Sequence, residues 1–217
     1  MLKLSALSKS YGSKPVIRSL NLELRDRGIF AISGPNGIGK STLFRLLAGA
    51  EVQSSGSIQL GELNPVDQPI VYRQAVSWTP EMDGVFPFLT PEDYFRFLIS
   101  VRSLDASLYP HALIEDLALS PFTRTKFESL SLGNKKKTLL IGALMVPHRL
   151  LLLDESFAGF DAKSQIVLRS LLVKAGQDAL VLLVNHDMAQ LEDLAFQELK
   201  LLQDEMETRL VLSSVTG

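Results

Sequence analysis

The sequence predicts an α/β fold: buried strands alternating with helices, preceded by an antiparallel β layer and interrupted by a helical lobe. Residues 150–153 and 180–184 are continuous apolar runs of strand length, as strands covered on both faces require. A glycine-rich loop joins the short apolar run 29–33 to a helical pattern over residues 40–48 that ends at Gly49. Between about residues 80 and 130 the pattern changes to apolar stripes at helical spacing.

The elements follow in order. Residues 20–24 alternate apolar and polar, as a half-buried strand does. Arg25, Asp26, Arg27 and Gly28 make a turn, and residues 57–60 form a further strand between Gly56 and Gly61. In the central stretch Thr90 caps a helix with Pro91 at its first position and Glu92 and Asp93 in its first turn. Tyr94, Phe95, Leu98 and Val101 form the stripe of that helix, and residues 111–119 are a second helical candidate. After the strand at 150–153 comes a helix over 162–174, then the strand at 180–184, then a closing hairpin over 198–212. One domain is expected, with its core at about 1–79 and 134–217 and its lobe at about 80–133.

Composition bounds the chemistry. The 217 residues suffice for one domain with a sizeable core. Apolar residues are 46% and charged residues 21%, which is globular rather than disordered. A formal net charge of -2 gives no overall polyanion binder, and Lys135, Lys136 and Lys137 read as a solvated helix face rather than a nucleic-acid patch. Without cysteine there is no disulfide framework and no thiolate chemistry. No apolar stretch approaches the ~20 residues of a membrane-spanning helix, and the N-terminal residues lack the long apolar core of a secretory signal. Work on a membrane would need a separate partner.

Gly34, Pro35, Asn36, Gly37, Ile38, Gly39, Lys40 and Ser41 match the pattern G-x-x-x-x-G-K-[ST], and Thr42 follows. With glycine near ~7% of residues, a chance match in such a chain is on the order of one in a hundred, and the flanking strand and helix lower it further. Glycines let the backbone curl so that successive N–H groups face phosphate oxygens, and the helix start adds its partial positive charge. Lys40 would reach the β- and γ-phosphates and Ser41 would ligate Mg²⁺. The strand at 150–153 runs into Asp154 and Glu155. Two acids at the end of a buried strand are costly without a compensating cation or hydrogen bonds. Beside a phosphate loop, Asp154 would hold Mg²⁺ and Glu155 would act as general base on the attacking water.

Leu130, Ser131, Leu132, Gly133 and Asn134 resemble the L-S-G-G-Q signature of ABC ATPases and stand shortly before the acidic strand, as in that family. His186, after the strand at 180–184, resembles the family's switch histidine. Tyr11 resembles the aromatic that stacks on adenine, and Ala158, Gly159, Phe160 and Asp161 resemble the D-loop. The likeness covers the chain in order, and on it the chain looks like the ATP-binding subunit of an ABC transporter, with a P-loop core. The resemblance implies Mg²⁺-dependent hydrolysis of ATP to ADP and phosphate. It also implies a head-to-tail dimer with a second nucleotide-binding domain, identical or paralogous, in which Ser131, Gly133 and Asn134 of one subunit close over ATP held by the loop of the other. A separate transmembrane permease is the expected partner, with the chain cytoplasmic and peripheral on the inner face of the cell membrane.

Three positions depart from the family's commonest pattern. Leu132 replaces a glycine, Asn134 replaces glutamine but keeps an amide, and Glu81 stands where many members carry the Q-loop glutamine. Glu81 can still ligate Mg²⁺ as a carboxylate. These departures, with the lysines after the signature, resemble the exporter branch that handles drugs, antibiotics or peptides. Phe86 and Phe88 are a candidate docking patch for the permease. Two rival readings are a soluble ABC ATPase outside transport and an ABC module that senses nucleotide with little turnover. His111 and His148, without metal-ligand spacing around them, read as structural or surface residues.

Overall fold

A computed structural model describes residues 1–25, 27–79, 87–154, 159–185, 191, 194–204 and 206–213. Among the described residues the strands form two sheets. The smaller is antiparallel, in the order β2 (Lys14–Leu24), β1 (Leu2–Tyr11), β4 (Ser55–Leu60). The larger has the order β5 (Val76–Trp78), β6 (Leu150–Asp154), β7 (Leu180–Val184), β3 (Gly28–Ser33), β8 (Gln197–Gln203), β9 (Thr208–Ser213). Its first five strands are parallel, and β9 closes it as the antiparallel partner of β8.

Side chains on the central strands alternate between two cores, as a sheet buried on both faces demands. Phe30, Ile32, Leu150, Leu152, Leu180 and Leu182 pack with Leu43, Phe44 and Leu47 of α1 (Lys40–Leu47) and with Leu2, Leu4 and Leu20 of the antiparallel sheet. Ile29, Ala31, Leu151, Leu153, Val181 and Leu183 pack instead with α5 (Leu132–Met145) and α6 (Ala162–Asp178). The antiparallel layer and α1 therefore lie on one face of the larger sheet, and α5 and α6 on the other.

Between β5 and β6 run α3 (Pro91–Val101), α4 (His111–Asp116) and several single-turn 3₁₀ segments. The start of α3 is as expected: Thr90 Oγ1 accepts from the Asp93 N–H at 3.1 Å, and the Asp93 carboxylate accepts from the Thr90 N–H at 3.0 Å. Tyr94 and Phe95 are buried and Leu98 packs beside them, but Val101 is 62% exposed. The helix ends there because Ser103 takes a left-handed φ of 51°, while the Arg102 side chain donates to the carbonyls of Arg73, Gln74 and Val76. The second lobe helix stops at Asp116 rather than 119, since Ala118 takes a left-handed φ of 53°. Leu117 and Leu119 remain buried without it.

Strand β1, helix α2 (Pro69–Ala75) and strand β5 were not foreseen. No helix among the described residues is long and apolar enough to cross a membrane.

Candidate functional site

Strand β3 delivers the chain to the C-terminal edge of the parallel sheet, where loop 34–39 turns into α1. The turn is possible only with glycine at two points. Gly34 has φ 149°, and a Cβ there would lie 2.9 Å from the Leu201 carbonyl oxygen. Gly39, the N-cap of α1, has φ 112°, and a Cβ would lie 3.1 Å from Val16 Cγ1. As Gly39 has no side chain to cap the helix, the first-turn N–H groups of α1 are left to accept a ligand. At the base of the loop Ser33 donates its hydroxyl to Glu198 at 2.5 Å, tying β3 to β8.

Lys40 is almost fully buried, and its ammonium donates to the Gly34 and Pro35 carbonyls at 2.8 and 3.0 Å. The charge thus sits inside the curl of the loop. Separated from β3 by β7, β6 ends at Asp154, whose Oδ2 is 3.4 Å from Ser41 Oγ. The Asp154 N–H donates to Thr79 Oγ1 at 3.1 Å, and the Thr79 N–H donates to the Leu152 carbonyl at 3.0 Å. That pair of bonds carries the contact of β6 with the β5 side of the sheet up to Asp154. Asn36, Gly37, Gly39, Lys40, Ser41, Thr42 and Asp154 line one cavity of about 430 Å³, together with Val16 and Val184.

Ser41 and Asp154 are two oxygen donors facing the same space, which suits a small hard cation that keeps water and phosphate as its other ligands. Among the described residues no group of three or more His, Cys, Asp or Glu could hold a metal.

The other expected site residues lie elsewhere. Tyr11 ends β1 with its hydroxyl bonded to Glu51 at 2.6 Å. Ser131 is the exposed N-cap of α5, its Oγ accepting from the Asn134 N–H at 3.3 Å, and Leu132 beside it is 54% exposed. Gly133 faces Gly159: a Cβ at Gly133 would stand 2.8 Å from the Gly159 carbonyl oxygen. Tyr11, Gly34, Ser131, Gly133 and Asn134 do not line the cavity among the described residues.

The lysine run differs from its reading as a solvated face. Lys137 is buried, 3.1 Å from Asp161 Oδ2 and 5.9 Å from the centre of the Phe160 ring. Asp161 caps α6, accepting from the N–H and the hydroxyl of Ser164 at 2.9 and 2.8 Å. The Ser164 backbone and hydroxyl bonds, and then Lys137, hold its carboxyl well below the usual carboxylate range. Glu81, Phe86, Glu155, Ala158 and His186 lie outside the described residues; Phe88 is 62% exposed.

Val16 and Val184 were missed from sequence. Val184 was readable as the last apolar residue of its strand, whereas nothing local marks Val16, which reaches the cavity from the antiparallel layer.

A glycine loop between a central strand and a helix, with an acidic strand end across one intervening strand, defines a phosphate-loop α/β protein. The family model described as "ABC transporter" matches residues 17–158. The chain is 32% identical over 203 residues to the "Probable sulfate/thiosulfate import ATP-binding protein CysA" of Chlorella vulgaris, covering 91% of this chain and 85% of that protein. It is 30% identical over 195 residues to the "Taurine import ATP-binding protein TauB" of Shigella flexneri, covering 88% and 75%. The fold matches a solved "ATP binding subunit of ABC transporter" with a TM-score of 0.88 at 24% identity, over 99% of this chain and 90% of that one. The chain belongs to the ABC transporter family, as an ATP-binding subunit. Both curated relatives are named for import, so the expectation of the exporter branch has no support in them.

Proposed function

We propose that the cavity binds ATP with Mg²⁺ and that the chain hydrolyses it to drive a separate membrane permease. The observation that carries this reading is the convergence of Lys40, Ser41 and Asp154 on one cavity at the strand ends. Lys40 leaves the Gly34 and Pro35 carbonyls for the β- and γ-phosphates, a stronger, charge-assisted pairing. The N–H groups of the loop and of the first turn of α1 take the remaining phosphate oxygens. Ser41 and Asp154 hold the cation, which supplies neutralising charge on the phosphates.

Glu155 follows Asp154 directly, and His186 comes two residues after Val184, so both strands leading to them end at the cavity wall. Glu155 takes a proton from water as its oxygen attacks the γ-phosphorus and the bond to the ADP oxygen breaks. His186 contacts the γ-phosphate, Tyr11 stacks on adenine, and Glu81 joins the cation from the segment after β5. The N-terminus of α5 exposes Ser131, with Gly133 and Asn134 half-buried behind it and none of the three lining the cavity, which suits a role on a second nucleotide-binding domain rather than on this chain's own cavity.

Lys40→Ala tests the reading. Loss of a charged hydrogen bond, ~1.5–3 kcal/mol, should weaken ATP binding about ten- to a hundredfold and abolish phosphate release. Unchanged steady-state phosphate release in the folded variant would refute it.

A further inference from the structure

Tyr11 is 43% exposed, and three charged side chains gather around it: Glu51 and Arg45 at its hydroxyl and Lys9 over its ring. Tyr11 donates to Glu51 Oε2 at 2.6 Å. The Lys9 ammonium lies 3.2 Å from that same oxygen and 5.0 Å from the centre of the Tyr11 ring. Arg45 donates Nε to Glu51 Oε1 at 2.7 Å, while its Nη2 is 3.4 Å from the Tyr11 hydroxyl and 3.3 Å from Thr42 Oγ1. Thr42 lines the cavity. One carboxylate and one guanidinium therefore join the end of β1 to the helix that carries the phosphate loop.

We propose that Glu51 is a positioning residue for nucleotide selection: it fixes the Tyr11 ring as a platform for a base, at a set distance from the phosphate loop. The proposal rests on the cavity being the ATP site. A tyrosine at a strand end is otherwise free to rotate, and a platform ordered in advance spares the ligand that entropy. With Lys9 over one face of the ring, the base takes the other. Burial pushes the Glu51 carboxyl up, but the Tyr11, Lys9 and Arg45 bonds outweigh it and bring it below the usual range, so it stays ionised to accept all three. The bland alternative is a staple between β1 and the turn after α1, which would support the fold and be indifferent to the ligand.

The two roles differ in sign. Glu51→Gln removes a negative charge on the phosphate side of the fold, so electrostatics alone would tighten any polyanion. Calorimetric titration of the folded chain with ATP and with inorganic tripolyphosphate, both with Mg²⁺, separates them. We expect Glu51→Gln to bind ATP about tenfold more weakly, within the range of a stacked base, and tripolyphosphate as well as or better than before. In a Tyr11→Ala background the same substitution should cost ATP nothing further. Should Glu51→Gln fold poorly, Tyr11→Phe keeps ring and acid but drops the tether, and should weaken ATP several-fold while sparing tripolyphosphate. Equal loss of both ligands, unchanged ATP affinity, or an undiminished effect without the ring would each overturn the proposal. Failure of the unaltered protein to bind either ligand would instead overturn the cavity reading itself, and the proposal with it.

Discussion

The Lys137 ammonium, on a side chain only 7% exposed, lies 3.1 Å from an Asp161 carboxylate whose side chain is 61% exposed. The two partners sit in different solvents, so the pair is asymmetric. Removing Asp161 strands a buried charge, while removing Lys137 leaves an exposed acid still held by Ser164.

That asymmetry gives an order of stabilities. Asp161→Asn keeps a good helix cap but loses the countercharge of a buried lysine, and should destabilise the chain more than loss of the lysine does. Lys137→Met removes the charge and keeps the buried stem, and should cost less than about 1 kcal/mol. Urea unfolding of the two variants decides it: Lys137→Met proving the more damaging would show that the pair is not governed by burial of the lysine.

The same pair predicts a pH dependence. The folded carboxyl of Asp161 is more acidic than in the unfolded chain, through the Ser164 bonds first and Lys137 after them. Its contribution is therefore complete above the unfolded carboxylate range and lost as pH falls toward the folded value. The stability gap between the natural chain and Asp161→Asn should be constant above about pH 5 and shrink progressively below it. A gap that widens with acid would show that the carboxylate is not the stabilising form.

Gly34→Ala should fail for a backbone reason. A φ of 149° and a Cβ 2.9 Å from the Leu201 carbonyl put the new methyl against main chain that cannot step aside. Strain of ~1–3 kcal/mol and loss of ATP binding are expected, read by thermal unfolding and by nucleotide titration. Normal ATP affinity would mean that the loop tolerates another path.

Glu155→Gln should keep ATP affinity and remove the base, so that ATP-bound dimers accumulate as a larger species in size exclusion with Mg²⁺. Hydrolysis at the natural rate would take the role of base away from Glu155.

Much of the sheet was legible because its signals are local. The apolar runs of β6 and β7 and the strand–glycine–helix order around Lys40 need no distant residue to be read. Strand β1 escaped because register shifts after Leu4, Leu7 and Lys9 break its alternation. Helix α2 escaped because seven residues with only Tyr72 buried leave no stripe to see. Lys137 was misread for a related reason: its partner is 24 positions away, and a run of lysines does not reveal which member points inward. The junction of Lys9, Tyr11, Arg45 and Glu51 is likewise assembled by the fold alone.

The strand order has a consequence for how the protein is made. Strand β3 emerges from the ribosome long before β7 and β8, its partners in the larger sheet among the described residues. Gly34 likewise packs on Leu201. A nascent chain carries the whole loop motif long before it can hold the loop in shape, and so waits for β7 and β8 with β3 unpaired. Such a high contact order makes for slow folding, and it leaves the apolar residues of β3 in need of protection during synthesis.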